Sequence, residues 1–252
     1  MAKHSRCTPG GSGVSVPPCR VCPIVGPQIW NGAEQLADRL EAARVVEHRP
    51  RGAWLYRQGE AADRLFALIE GAVVISRDDG RGEAVAVHLA TPGTTLGFRG
   101  VLEGGRHTVS AQCASRSLVC SFPVDMAEEA MAAIRPLEGV FFHHLADELS
   151  IIQDRMLRMA TLGVRDRLVL LLGQMAGPFG RPVTDGALLI ATPVSRMDMG
   201  ALAGMTPETV SRCIRTLEAE NLAHFTRRHI LIPDHGRFRA ELARLGHGEL
   251  AP

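Results

Sequence analysis

Aromatic residues are scarce, at 4% of a 252-residue chain, so any core must be built from aliphatic side chains. Lysine is almost missing: Lys3 is the sole lysine among 28 basic residues, a bias that reads as genome composition more than as a physical signal. No apolar run reaches the roughly 18–20 residues that a membrane span needs. The stretch Met1 to Val21 has cations but no apolar segment of the kind a secretory leader carries, and a cytoplasmic protein is expected. Neither sign of charge dominates, since the formal net charge is +1. A nucleic-acid surface would therefore have to come from local placement of cations. No G-x-S-x-G, Walker A or H-E-x-x-H motif occurs, and no carboxylate pair or triad can be defended from spacing, so no enzyme is expected.

What is present suffices for two compact domains, with 46% hydrophobic and 22% charged residues. The first 27 residues are rich in Gly, Ser and Pro and carry no regular pattern. A short amphipathic helix is expected from about Gly32 to Ala43, with Leu36, Leu40 and Ala43 on one face. From Glu47 to Pro123 short β-type runs recur between glycines: 53–56, 65–69, 72–75, 84–89, 108–111 and 118–122. Gly59, Gly71, the Gly80-Arg81-Gly82 run, Gly93, Gly97 and Gly104-Gly105 punctuate them. Strands at that spacing make an all-β sandwich or roll.

Helical periodicity follows. Pro136 suits a helix start, and Leu145, Leu149, Ile152, Met156 and Met159 repeat at 4-3-4-3 spacing, an a/d seam for pairing with a second helix. The seam also carries Ile151, with no acidic residue from Ser150 to Gln153, which favours a dimer that does not await a cofactor. A packed helix on its own domain is the alternative. Gly163 breaks the pattern as a candidate hinge, and a leucine-rich helix is expected from Val164 to about Met175, stopped at Ala176-Gly177-Pro178.

Ser195-Arg196-Met197-Asp198 opens a helix with a serine cap and an acid at the third position, ending near Gly204. Thr206-Pro207-Glu208 opens another: threonine cap, proline first, acid in the first turn. Val210, Cys213, Ile214 and Leu217 would point inward, with Cys213 a buried thiol. Two short helices joined through glycine make a helix-turn-helix. The strands 222–225 and 229–232, around Thr226-Arg227-Arg228, would add a wing with arginines at its tip for phosphate. Glu208, Ser211 and Arg212 share one face: Arg can fork onto guanine, and Glu can accept from cytosine N4. A plain solvated face with a Glu208–Arg212 ion pair is the alternative.

Pro207-Glu208-Thr209-Val210-Ser211-Arg212 resembles the E-T-x-S-R recognition helix of the FNR branch of the CRP/FNR superfamily. Arg57-Gln58-Gly59-Glu60, Leu68-Ile69-Glu70-Gly71 and Thr91-Pro92-Gly93 resemble its β-roll turns. The resemblance implies an α+β chain in four parts: a flexible Cys-containing segment (1–27), a jelly-roll-like sensory β-roll of the cyclic-nucleotide-binding type (28–135), a dimerisation helix (136–162) and a winged helix-turn-helix (163–252). It implies a homodimer on palindromic TTGAT-type double-stranded DNA, with RNA polymerase as a further partner. The DNA-contacting set would be Thr206, Glu208, Thr209, Ser211, Arg212, Arg227 and Arg228.

Cyclic-nucleotide members of the superfamily hold phosphate with a Gly-Glu segment and an Arg-Ser pair. Here those places read Leu96-Gly97-Phe98-Arg99-Gly100 and Arg106-His107-Thr108, so a cyclic nucleotide is not expected. Six cysteines in a cytosolic chain read as metal ligands, redox sensors or buried thiols. Cys19 and Cys22 form a C-x2-C, and the segment around Cys120 resembles the roll segment that ligates a [4Fe–4S] cluster in oxygen-sensing FNR proteins. Cys19, Cys22 and Cys120 would then be three ligands. The usual further cysteine after the C-x2-C is absent, which leaves Cys7, in a Gly-rich tether, or Cys113, placed to face Cys120 across a hairpin. A thiol–disulfide switch, zinc, haem or another small ligand remain alternatives.

Overall fold

Each aliphatic run between glycines becomes a strand in the computed structural model, which describes residues 16–22, 33–78, 80 and 84–246. Cys7 and the expected turn at Arg81-Gly82 lie outside the described residues, as does most of the segment 1–27. The chain divides into two compact units between Ile152 and Gln153.

In the first unit a 3-10 turn at Cys19–Val21 precedes α1 (Glu34–Ala43), which buries Leu36, Ala37 and Leu40. Strands β1 (Val45–Arg49), β2 (Trp54–Tyr56), β3 (Arg64–Glu70), β4 (Val73–Asp78), β5 (Ala84–Ala90), β6 (Thr95–Leu96), β7 (Ser110–Cys113) and β8 (Ser117–Pro123) follow. They form two four-stranded antiparallel sheets, ordered β1-β8-β3-β6 and β2-β7-β4-β5. Between them lie Tyr56, Phe66, Leu68, Val73, Ile75, Ala111, Cys113 and Val119.

Strands β3 and β8 are buried on both faces, and their period of two sorts the side chains. Phe66, Leu68 and Val119 face the other sheet. Ala67, Ile69, Leu118 and Cys120 face outward, against Val16 of the N-terminal segment. Gly71 turns β3 into β4 at φ +87°, and a Cβ there would stand 2.5 Å from Ser117 Oγ and 2.6 Å from the Arg116 carbonyl. No other residue fits that crossing.

Between β6 and β7 a short helix, α2 (Phe98–Leu102), starts at Gly97. After β8 comes α3 (Val124–Ala133). The long helix α4 runs from Arg135 to Thr161. Leu145 of α4 packs with Leu65, Phe98 and Ala127, while Phe142, Leu149, Ile151 and Ile152 are exposed.

The second unit holds the end of α4 and α5 (Val164–Phe179), whose Leu168 to Leu172 are all buried. A sheet follows, ordered β11-β12-β10-β9, from β9 (Gly180–Pro182), β10 (Leu188–Ala191), β11 (His224–Phe225) and β12 (His229–Ile232). Helices α6 (Arg196–Ala203), α7 (Pro207–Ala219) and α8 (His235–Arg244) complete it. Leu172, Met175, Ile190, Met199, Leu217, Ile230, Ile232 and Phe238 are its buried centre.

Helix α5 does not stop at Ala176-Gly177-Pro178, as expected from sequence, but runs to Phe179 with Pro178 inside its last turn. The Gly180 amide closes the turn on the Ala176 carbonyl, so the proline forfeits one bond at a helix end instead of breaking a helix interior.

Candidate DNA-reading and thiol sites

Helix α6 opens with a reciprocal cap. Ser195 Oγ accepts from the Asp198 amide at 3.1 Å, and Asp198 Oδ2 accepts from the Ser195 amide at 2.9 Å. Gly200 lets the next segment come close: a Cβ there would stand 2.8 Å from the Met205 carbonyl and 3.2 Å from Val210 Cγ2. Gly204 makes the turn at φ +63°, and Val210 is wholly buried in the angle between α6 and α7. Thr206 caps α7, its Oγ1 accepting from the Thr209 amide at 3.3 Å.

The inward face of α7 is Val210, Cys213, Ile214 and Leu217. Cys213 is buried as expected, and burial raises its pKa. On the other face Glu208 and Arg212 are exposed and Ser211 is half-buried. Ser211 Oγ donates to the Pro207 carbonyl at 3.0 Å, which leaves its lone pairs free to accept. Arg212 Nη2 donates to Thr209 Oγ1 at 3.2 Å. Glu208 is held below the usual carboxylate range by its own backbone amide, by Thr206 and by the Arg212 charge. Glu208, Thr209, Ser211 and Arg212 are thus brought together at the start of α7.

The wing is a two-strand ribbon closed by Thr226, whose amide donates to the His229 carbonyl at 2.9 Å and whose Oγ1 accepts from the His229 amide at 2.9 Å. Arg227 and Arg228 are exposed at its tip. Sequence reasoning missed the clamp behind α7. Arg165 Nε donates to both Glu220 carboxylate oxygens at 3.1 Å, and its Nη1 reaches Glu241 at 2.7 Å and Asp166 at 2.8 Å. These ties join the end of α7 to α5 and α8, and they hold the Arg165 pKa above its ordinary value. The only sequence signal is Arg165 and Asp166 following Gly163, which names no partner.

The thiols divide between two places. Cys19 is half-buried against α1, its amide donating to Glu41 Oε2 at 2.7 Å. Its pKa is pushed up to about 12, by burial first and then by the Glu41 carboxylate. Cys120 is buried on the outward face of β8, its pKa raised by burial while Arg44 opposes the rise. Arg44 also donates to the Pro17 carbonyl at 2.8 Å, tying the N-terminal segment to α1. Val16 packs against the cluster that holds Cys120, and Cys19 and Phe122 pack on the same cluster of α1, so the N-terminal segment lies on the side of the roll that carries Cys120.

Cys113 is elsewhere. The expectation that it faces Cys120 across a hairpin is not met, because β7 and β8 belong to different sheets. Cys113 pairs with Val73 and fills the space between the sheets, whereas Cys120 pairs with Ala67 and Val46 and points out. Among the described residues no three His, Cys, Asp or Glu side chains stand close enough to hold an ion.

Where a phosphate segment would lie in the roll, Arg99 is paired with Glu148 at 3.0 Å and Glu103 at 3.3 Å. His107 is buried and stacked on Tyr56 with ring centroids 3.8 Å apart.

Two family models match this chain, a cyclic nucleotide-binding domain over residues 46–133 and a Crp-like helix-turn-helix domain over residues 166–241. The chain belongs to the CRP/FNR superfamily. Members of this superfamily are DNA-binding transcription regulators, not enzymes, and the chain is a regulator of that type. It is 24% identical to electron transport regulator A of Shewanella oneidensis, over 92% of each protein. It is 23% identical to the fumarate and nitrate reduction regulatory protein of Vibrio cholerae, over 90% of this chain and 89% of that one. The solved structure of FixK2 from Bradyrhizobium japonicum shares the CRP/FNR fold, with TM-score 0.68 and 23% identity over 78% of this chain and 96% of that chain. Among the described residues no helix is long and apolar enough to cross a membrane.

Proposed function

We propose that the chain acts as a cytoplasmic homodimer that reads TTGAT-type palindromes and answers to oxygen or redox state through its N-terminal cysteines and Cys120. In this reading the four parts are the segment 1–27, the sensory roll 28–135, the dimerisation helix 136–162 and the DNA-binding part 163–252. RNA polymerase is the further partner that the family suggests. The observation that carries it is the exposed start of α7, where Glu208, Ser211 and Arg212 stand together without being buried by the chain's own packing. Arg212 would fork onto a guanine, Glu208 would accept from a cytosine amine, and Thr206 and Thr209 would border the phosphates. Arg227 and Arg228 would hold phosphate from the wing. Leu149, Ile152 and Met156 would pair with their copies, being left exposed. A gel shift with such a palindrome at stated salt tests this, and no preference for it over a scrambled duplex would refute it.

For the sensor, the donor set would be soft: Cys19 and Cys22 lie on the segment docked beside α1 and β8, Cys120 is on β8, and Cys7 is the fourth thiol of this reading. These four would hold a [4Fe–4S] cluster, which would supply sensitivity to oxygen. The protein's part is to dock residues 16–22 on α1 through Arg44 and Glu41, which brings the segment of Cys19 and Cys22 to the side of the roll that carries Cys120. Anaerobic purification with iron and sulfide analysis and Mössbauer spectroscopy tests it. Iron should be lost in Cys19→Ser and Cys120→Ser and kept in Cys113→Ser. Iron-free wild-type protein would exclude the cluster and favour a second reading, a thiol–disulfide switch between the same cysteines, supported by the docking of Val16 and Cys19 on the side of the roll that carries Cys120.

A further inference from the structure

The seam expected along α4 is not used evenly. At its end Met159, 42% exposed as a whole, turns its terminal methyl onto the chain itself: the methyl sits where a Cβ on Gly204 would be, with Arg167 Nη1 3.8 Å from the same point. One turn earlier Arg155 Nη2 donates to the Ala201 carbonyl at 3.0 Å. Residues four apart lie on one helix face, so Arg155 and Met159 form a single contact on the end of α6. Ala201 also accepts from the Gly204 amide at 3.3 Å, so it belongs to the last turn of α6, where exposed carbonyls favour a cation. Gly204 therefore does two things. It turns the chain at φ +63°, and it leaves the notch that Met159 fills.

We infer that Arg155 and Met159 are positioning residues: they latch the end of α4 to the α6–α7 turn and so fix the spacing at which two half-sites are read. The inference rests on the proposed dimeric reading of a palindrome. Helix α7 begins at Pro207, three residues beyond Gly204, so whatever grips this turn sets the direction in which α7 leaves it. Met156 and Leu157 on the same turns of α4 are 67% and 62% exposed, so the helix presents one face to its own DNA-reading element and keeps another open. Two recognition helices can demand half-sites one DNA turn apart only if each is fixed to the element that joins them. A loose joint would let each helix find its half-site at many spacings, and the preference would flatten.

The test compares wild type, the double variant Arg155→Ala/Met159→Ala, and Arg155→Lys, which keeps a donor for the Ala201 carbonyl. Each is titrated against duplexes carrying one half-site and against palindromes whose half-site spacing is stepped by single base pairs. The double variant should bind the single half-site within about twofold of wild type, lose about tenfold at the preferred spacing and respond weakly to spacing. Arg155→Lys should keep most of the preference. An unchanged spacing profile would overturn the latch. So would an equal loss on half-site and palindrome, which would reduce the pair to supporting the fold. If wild type bound no duplex, the proposed palindrome reading would fail, and hydrogen exchange at the Gly204 and Met205 amides would still report the latch. Those amides should exchange faster in the double variant, and equal rates would refute it.

Discussion

At single residues, the DNA-reading face and the turn glycines make the sharpest demands. Arg212 is exposed and its side chain donates to the Thr209 hydroxyl beside the Glu208 charge, so its removal should cost the fold little. Arg212→Ala should lose about 1–3 kcal/mol of discrimination at one base pair while leaving phosphate contacts in place. Gel shifts with that base permuted, at fixed salt, check it. Gly71→Ala should act oppositely, harming the fold and sparing the DNA face. Its φ of +87° and the overlap with Ser117 and the Arg116 carbonyl should together cost about 2 kcal/mol or more, read as a lower denaturant midpoint for the first unit. The start of α7 was legible in the sequence because caps, proline and the i, i+3, i+4 spacing are local. The Arg165 clamp was not, because its partners Glu220 and Glu241 are 55 and 76 residues away. The relation of Cys113 to Cys120 was misread for a related reason. Two strands that adjoin in sequence need not adjoin in a sheet, and β7 and β8 do not.

At the level of elements, the expected strands and helices formed where pattern and punctuation agreed. Those passed over are short, charged or broken by proline. Strand β1 is Val-Val-Glu-His-Arg, β6 has two residues, and β9 ends on Pro182 at a sheet edge. Helix α3 starts directly after Pro123, whose β geometry continues the strand before it, and α8 carries three arginines and a glutamate, with Phe238 and Leu242 as its buried anchors. The seam on α4 was visible as a repeat, yet periodicity could not say that Leu145 would be occupied by the chain's own packing, or that the Met159 methyl would meet the Gly204 turn. Leu149, Ile152 and Met156 stay 56%, 45% and 67% exposed. A charge pair there should therefore break self-association without unfolding either unit. Leu149→Glu/Met156→Glu should sediment as a monomer with wild-type circular dichroism, and should bind a palindrome no better than a single half-site.

For the whole molecule, two units with separate cores should respond separately to damage. Phe238 is wholly buried in the second unit, so Phe238→Ala should remove about 3–5 kcal/mol there. Calorimetry should show the corresponding transition lowered and that of the first unit in place, with DNA binding weakened on every sequence alike.

The cations at the start of α7 and on the wing are all guanidinium groups, Arg212, Arg227 and Arg228, in a chain whose one lysine is Lys3. Acetyl transfer neutralises basic surfaces by capping amines, and here it would find no side-chain amine to cap. A grip on phosphate made by these residues, as proposed above, would be out of reach of that modification, and amine-directed cross-linkers would pass over such an interface even when it is fully engaged.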